Sequence, residues 1–319
     1  MNQIMLRAAL AALLSLLLPA AALAQPLLTP AELSARVAEP RLRIVDIRAG
    51  KNDAGKALYE TGHIAGALHA PYPKWRGPKE NPGKLPATET LTQLVQRLGI
   101  DATTPVVIVY EGADSTDFGA AARVYWTLKV AGVPKLSILN GGMKAWRAAG
   151  LPLTTTVATV APTRFAVELD RRLIATQDEV ALLAGRHSAL LLDARPAEYY
   201  LGEARHSAAK TPGTIVGARN VDNAVFFGKG SGALLPAADV RRIADQHGLP
   251  TDRPTVSFCN TGHWAATNWF VLSEVLGQTD ARLYPESLVE WSHAGLAMEN
   301  VPNRILQAWL QLKEAAGSL

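Results

Sequence analysis

The sequence predicts an α/β protein made of two copies of one unit, each a mainly parallel sheet with helices on both faces. Three observations predict it. Four segments recur in the same order at an offset of 145 to 151 residues. Short runs rich in β-branched residues or leucine alternate with longer amphipathic stretches, the pattern of strands joined by helices. Those runs are apolar on both sides, as strands covered on both faces of a sheet must be.

In chain order, residues 1–24 come first: MNQIMLRAALAALLSLLLPAAALA. Arg7 precedes an apolar run from Ala8 to Leu18, Pro19 breaks it, and Ala22-Leu23-Ala24 offers small residues where a signal peptidase reads. The run is too short to span a bilayer comfortably. It is expected to be a cleaved secretory signal, leaving a soluble periplasmic protein that starts near Gln25 and is not stably inserted in the membrane.

The first unit is placed at 25–152. Its strands are RIVDI (43–47), VVIVY (106–110) and LSIL (136–139). AELSARV, TLTQLVQRLG and AARVYWTLKVAG are its amphipathic helices, the last two reaching a terminal Gly. The stretch LPLTTTVATVAPTRF (151–165) carries no charge before Arg164 and is rich in Thr, so the linker is placed at 153–165. The second unit, 166–319, repeats the pattern with ALLLD (189–193), TVSFC (255–259), the helical NWFVLSEVLG and ARLY (281–284). The recurring pairs are IVDIR with LLDAR, GHIAGALHAPY with GTIVGARNVDN, PVVIVYEG with PTVSFCNT and, more weakly, SILNGGMKAW with ARLYPESLVEW.

Composition narrows the function. With 48% apolar and 19% charged residues the chain is globular, and a net charge of +4 without a basic run gives no support to nucleic-acid binding. Seven dispersed histidines show no ligand spacing beside the cysteine, so no metal is expected. The chain has one cysteine, Cys259, which cannot form an intramolecular disulfide; in an oxidising compartment such a thiol needs burial or a task.

Cys259 ends a strand run and is followed by Asn260-Thr261-Gly262-His263-Trp264 and a helical pattern. A sulfur there sits where open α/β sheets place their ligands. Loop amides can curl round it, Gly262 lets the backbone turn, and a helix starting near Ala265 directs its positive end to the same point. All three favour an anionic sulfur over a neutral one, and they equally suit a persulfide.

These motifs resemble the tandem rhodanese family, the thiosulfate and 3-mercaptopyruvate sulfurtransferases, over nearly the whole mature chain. Carrying the likeness are Asp46-x-Arg48 with Tyr59-Glu60-Thr61-Gly62-His63-Ile64-Ala65-Gly66-Ala67, then Asn140-Gly141-Gly142-Met143-Lys144-Ala145-Trp146, and Phe258-Cys259-Asn260-Thr261-Gly262-His263-Trp264 at the active loop. The resemblance implies two rhodanese-like domains, the first inactive and the second a sulfurtransferase with Cys259 as nucleophile and no cofactor. The implied partners are a small anionic sulfur donor and a thiophilic acceptor, cyanide or a thiol. A carrier handing persulfide sulfur to a partner protein needs the same pocket and stands as the alternative.

An offset of 148 sets Glu111 of the first copy against Cys259. Asp193 and Arg195 repeat Asp46 and Arg48, which favours a structural ion pair, with donor binding by Arg195 the lesser reading. His263 has two open roles, donor contact or a solvent-facing position; Trp264 is expected to pack under the loop. Thiosulfate-specific members carry cations in this loop, and many tandem members have an Arg where Glu198 stands here. Arg205, His206, Lys210 and Arg219 are the remaining candidates for the anion-binding charge. Phosphatases and arsenate reductases of related fold need an Arg where Ala265 falls, which disfavours phosphate chemistry.

Overall fold

Strand runs of four apolar residues can be satisfied only between two covered layers, and the computed structural model, which describes residues 25–250 and 252–303, places them so. The expected leader at 1–24 lies outside the described residues. The first domain contains β1 (Leu27–Leu28), α1 (Pro30–Ser34), β2 (Arg43–Asp46), α2 (Leu58–Thr61), β3 (Leu68–His69), α3 (Thr88–Arg97), β4 (Val106–Val109), α4 (Ser115–Val130), β5 (Leu136–Leu139) and α5 (Gly142–Ala148). Its sheet is parallel throughout, in the order β1-β5-β4-β2-β3.

The second domain repeats this with α6 (Gln177–Arg186), β6 (Leu190–Asp193), α7 (Ala197–Tyr200), β7 (Thr214–Ile215), β8 (Arg219–Asn220), α8 (Ala237–Gln246), β9 (Thr255–Phe258), α9 (Trp264–Phe270), β10 (Ala281–Leu283), α10 (Ser287–His293) and β11 (Met298–Glu299). The order β10-β9-β6-β8 is again parallel, and among the described strands of this domain the short β7–β11 pair alone is antiparallel. A parallel bridge from Ile174 to Leu283 stands where β1 meets β5 in the first copy. Both sheets and their covering helices agree with the α/β class expected from the alternation.

Local chemistry explains the helix starts. Thr29 and Glu32 form a reciprocal capping box before α1, and Thr176 and Glu179 repeat it before α6, so each copy opens its first helix the same way. Thr154 pairs with His63 in an antiparallel bridge, so the Thr-rich stretch that follows the first domain runs along its surface.

The strand period of two sorts side chains into separate cores. Val45, Val106, Ile108 and Tyr110 face one side of the first sheet, and Ile44, Val107 and Val109 face the other. In the second sheet Leu190, Leu192 and Cys259 face the same shared core as Val45, whereas Leu191, Val256 and Phe258 face outward to α6 and α10. The shared core is the domain interface. It is filled by α4 and α9, which pack on one another; a helix buried on nearly all sides is apolar all round, and α4 shows that composition. Phe118 meets Phe227 and Phe270 at ring-centroid distances of 5.2 and 5.6 Å, and Tyr125 meets Phe270 at 5.1 Å. The sheet period therefore aims Cys259 at the seam between the two domains.

Candidate active site

Register fixes which residues of the two copies correspond. Asp46 pairs with Val109 as Asp193 pairs with Phe258. The carbonyls that follow are held alike: Met143 N–H donates to Tyr110 O and Lys144 N–H to Glu111 O, as Leu288 N–H does to Cys259 O and Val289 N–H to Asn260 O. The counterpart of Cys259 is thus Tyr110, and Glu111 corresponds to Asn260. The offset of 148 that set Glu111 against Cys259 is one residue short at this point: Asp46 and Asp193 lie 147 residues apart (193 − 46), but Tyr110 and Cys259 lie 149 apart (259 − 110), as the paired segments PVVIVYEG and PTVSFCNT also have it.

The same correspondence explains the two buried arginines. Arg48 grips Asp46 (Nη2 to Oδ2, 2.7 Å), donates to Gly62 O at 2.8 Å and reaches Glu111 at 3.3 Å. Arg195 grips Asp193 (2.6 Å), donates to Gly213 O at 2.8 Å and reaches Asn260 Oδ1 at 3.2 Å. Both guanidiniums are buried, and both tie the strand before the Asp to the loop after the next strand. The donors of Arg195 are thereby committed within the protein. Asn260 joins the active loop to this ion pair through its side chain.

Cys259 is 1% exposed and sits at the C-terminal end of β9. Its own N–H donates to Ser287 Oγ at 3.1 Å, and that hydroxyl donates to Tyr284 O at 2.7 Å. Ser287 holds a left-handed backbone (φ 53°), a strained setting for a side chain and a frequent mark of a functional position. Each loop carbonyl from Cys259 to Gly262 is held from outside the turn. Leu288 and Val289 N–H take the first two, Arg76 Nη2 takes Thr261 O at 3.0 Å, and Arg123 Nη1 reaches Thr261 O and Gly262 O at 3.4 and 3.3 Å. Among the described residues no protein acceptor takes the N–H groups from Asn260 to Ala265. The loop is a turn whose acceptors face outward and whose donors remain free, the arrangement that binds an anion.

His263 lies on the domain seam. Tyr72 Oη is 2.7 Å from its Nδ1 and Thr116 O is 2.8 Å from its Nε2, so the neutral ring accepts from Tyr72 and donates to Thr116. Burial, with Arg76 and Arg123 nearby, pulls its pKa down to about 3. A ring neutral and bonded at both nitrogens offers no charge to a donor. Trp264 Nε1 donates to Thr116 Oγ1 at 3.1 Å, and its ring meets Tyr199 edge-on at 5.6 Å. Glu198 is exposed on α7, and Arg219 is turned to the carbonyls of His247 and Gly248. Arg205 and Arg76 both lie close enough to His206 to hold it, after burial, below its ordinary pKa. Tyr72, Arg76, Thr116, Arg123 and Ser287 did not emerge from the sequence as site residues.

The His263 geometry has a pH consequence. The folded value lies below the ordinary 6.5, so between about pH 3 and 6.5 the unfolded chain binds more protons and stability rises with pH. The contribution is fully present above pH 6.5 and is lost as pH falls. Because the ring edge is partly open, the loss by pH 4.5 is scaled down to about 1–2 kcal/mol. Urea unfolding at pH 7 and 4.5 should show a smaller pH-dependent loss in His263→Gln by that amount; equal losses would mean that the ring is protonated in the fold.

Comparison with known proteins agrees with the two-domain fold. A rhodanese-like domain profile matches residues 29–149 and 176–294. The thiosulfate sulfurtransferase of Azotobacter vinelandii is 31% identical over 83% of this chain and 93% of its own length. The sulfur carrier protein TtuD of Thermus thermophilus is 28% identical over 80% and 89%. The crystal structure of the 3-mercaptopyruvate sulfotransferase SseA from Escherichia coli superimposes with a TM-score of 0.69 at 25% identity, covering 82% of this chain and 98% of that one. Two matched domains in tandem, with the cysteine loop in the second, place this chain in the rhodanese family.

Proposed function

We propose that the protein is a sulfurtransferase that moves a sulfane sulfur from a small anionic donor, thiosulfate or 3-mercaptopyruvate, to a thiophilic acceptor through a persulfide on Cys259. The observation that carries this reading is the loop of free N–H groups after the chain's one cysteine, on the copy whose partner has Tyr110 instead. With thiosulfate, the Cys259 thiolate attacks the outer sulfur, an S–S bond forms, and sulfite leaves with the electron pair of the broken bond. Cyanide then attacks the terminal sulfur, thiocyanate leaves, and the thiolate returns. Each half-reaction begins and ends with one negative charge on the enzyme, so one anion cradle serves both states.

The non-catalytic unit is taken as 25–152 and the catalytic unit as 166–319, joined by 153–165. Asn260, Thr261, Gly262, His263 and Trp264 form the loop, their main chain serving the sulfur more than their side chains do. Arg195 orders Asn260 from behind, and His263 fastens the loop to the first domain. Arg205 and Arg76, close to His206, offer the positive side to the donor's anionic group. The leader and cleavage near Ala24 make the protein an exported, periplasmic one, on the strength of its first residues. Likeness to a sulfur carrier supports a second reading, in which the acceptor is a protein.

Intact mass after incubation with each donor tests the proposal. Cys259 should gain one sulfur, about 32 Da, which cyanide removes. The same spectrum of exported protein should lack residues 1–24. A mass unchanged by both donors would remove the persulfide. Single loading without steady turnover would favour the carrier.

A further inference from the structure

Arg123 belongs to α4 of the first domain, yet two of its three carbonyl partners belong to the catalytic loop of the second. The third is Gly83 O, 2.6 Å from Nη2. The side chain is fully buried, stacks over Trp126 at 4.9 Å, and leaves Nε without an acceptor among the described residues. Among the described residues no carboxylate bonds it. A buried guanidinium bonded only to neutral carbonyls is costly for a fold. Burial and the neighbouring Arg76 accordingly lower its pKa to about 9, while the nearby Tyr72, Cys259 and Glu286, when anionic, act in the opposite sense. An anionic sulfur on Cys259, as thiolate or persulfide, is thus one of the nearby groups that offset this charge.

The peptide geometry gives this cation a second effect. All peptide bonds among the described residues are trans, so a carbonyl and the N–H of the next residue point in opposite directions. Holding Thr261 O and Gly262 O toward the first domain turns the N–H groups of Gly262 and His263 away from it. Leu288 and Val289 do the same for the N–H groups of Asn260 and Thr261 from the opposite flank.

We propose that Arg123, assisted by Arg76, is a positioning residue of the catalytic loop: the first domain, which lacks a nucleophile, fixes the orientation of the loop amides and supplies the positive charge for the anionic sulfur. The inference rests on the persulfide reading and assigns the non-catalytic copy a part in catalysis. Arg76 reinforces it by donating to the same Thr261 carbonyl and to Tyr72 Oη, each at 3.0 Å.

Alkylation of Cys259 by iodoacetamide in the folded full-length protein tests this, since the chain has no second thiol. Arg123→Met should slow alkylation about tenfold and shorten the persulfide lifetime, and Arg123→Lys, which keeps the charge and loses the fork, should recover part of both. Arg76→Met, at a partly exposed position, should slow alkylation about threefold. A merely structural role gives the opposite sign, because a loosened loop uncovers a sulfur that is now 1% exposed. Alkylation that is faster or unchanged in these variants overturns the proposal. If Arg123→Met does not fold, the Lys and Arg76 variants decide by the same sign. Alkylation needs no sulfur donor, so an absent persulfide in the wild type would sink the parent reading and leave this measurement intact.

Discussion

Cys259→Ser should reduce sulfur transfer from either donor by about four orders of magnitude, to background, while leaving the fold in place. The size of the loss follows from the chemistry. The S–S bond of the intermediate needs a polarisable nucleophile, and a serine hydroxyl in the same cradle forms no comparable bond to sulfane sulfur. The fold tolerates the change because the contacts made here by the Cys259 backbone, with Ser287 Oγ and Leu288 N–H, do not involve the sulfur. A smaller, buried hydroxyl at this position still lies beside the free loop amides as donors. Circular dichroism and thermal unfolding should therefore match wild type within about 1 kcal/mol. A variant that is folded and still turns over thiosulfate or mercaptopyruvate would show that the sulfur passes through another group.

The two-copy fold was legible because it rests on patterns local to the chain. Runs such as Val106–Val109 and Leu190–Asp193 declare buried parallel strands, and longer stretches such as TLTQLVQRLG and AARVYWTLKVAG, each ending at Gly, declare the helices between them. β1 was not readable: two residues, Leu27–Leu28, become a strand only because β5 is beside them. Cys259 and its loop were legible for the same local reason, a strand ending in a thiol followed by Gly and a helix. The correspondence of the copies slipped at Glu111 because a single offset of 148 was carried across connections that differ by two residues between the copies; the paired segments PVVIVYEG and PTVSFCNT, like the sheet register, set Tyr110 against Cys259.

The parts of the site contributed by the first domain were the least legible. Tyr72 and Thr116 lie 191 and 147 residues from His263 along the chain, and nothing in the sequence brings them together. A signal for Arg123 did exist. It interrupts the apolar run AARVYWTLKV, in a helix that must be buried on nearly all sides, and a charge there requires partners. The sequence could not say that the partners would be carbonyls of the other domain's loop.

Gly262→Ala is the substitution expected to do most damage without touching a reacting group. Gly262 has φ 65°, where a β-carbon costs about 1–2 kcal/mol. An added methyl would also lie 2.4 Å from Pro285 O, 2.8 Å from Pro285 Cα and 2.6 Å from Arg123 Nη1. The first two are backbone atoms next to the strained Ser287 turn, and the third is the buried guanidinium that holds the loop, so none can yield cheaply. The loop itself must move. A displacement of about 1 Å turns the amides off the sulfur, and misplacement of that size costs about 100-fold in rate. Stability should fall by about 3 kcal/mol, in the upper part of the range for single substitutions. Gly66→Ala separates the two causes: its φ is 77°, but an added methyl there meets nothing within 4 Å. That variant should lose about 1 kcal/mol and keep full sulfur transfer. If Gly262→Ala retains activity within a few-fold of Gly66→Ala, then the close approach of the loop to Pro285 and Arg123 does not set the geometry of the sulfur cradle.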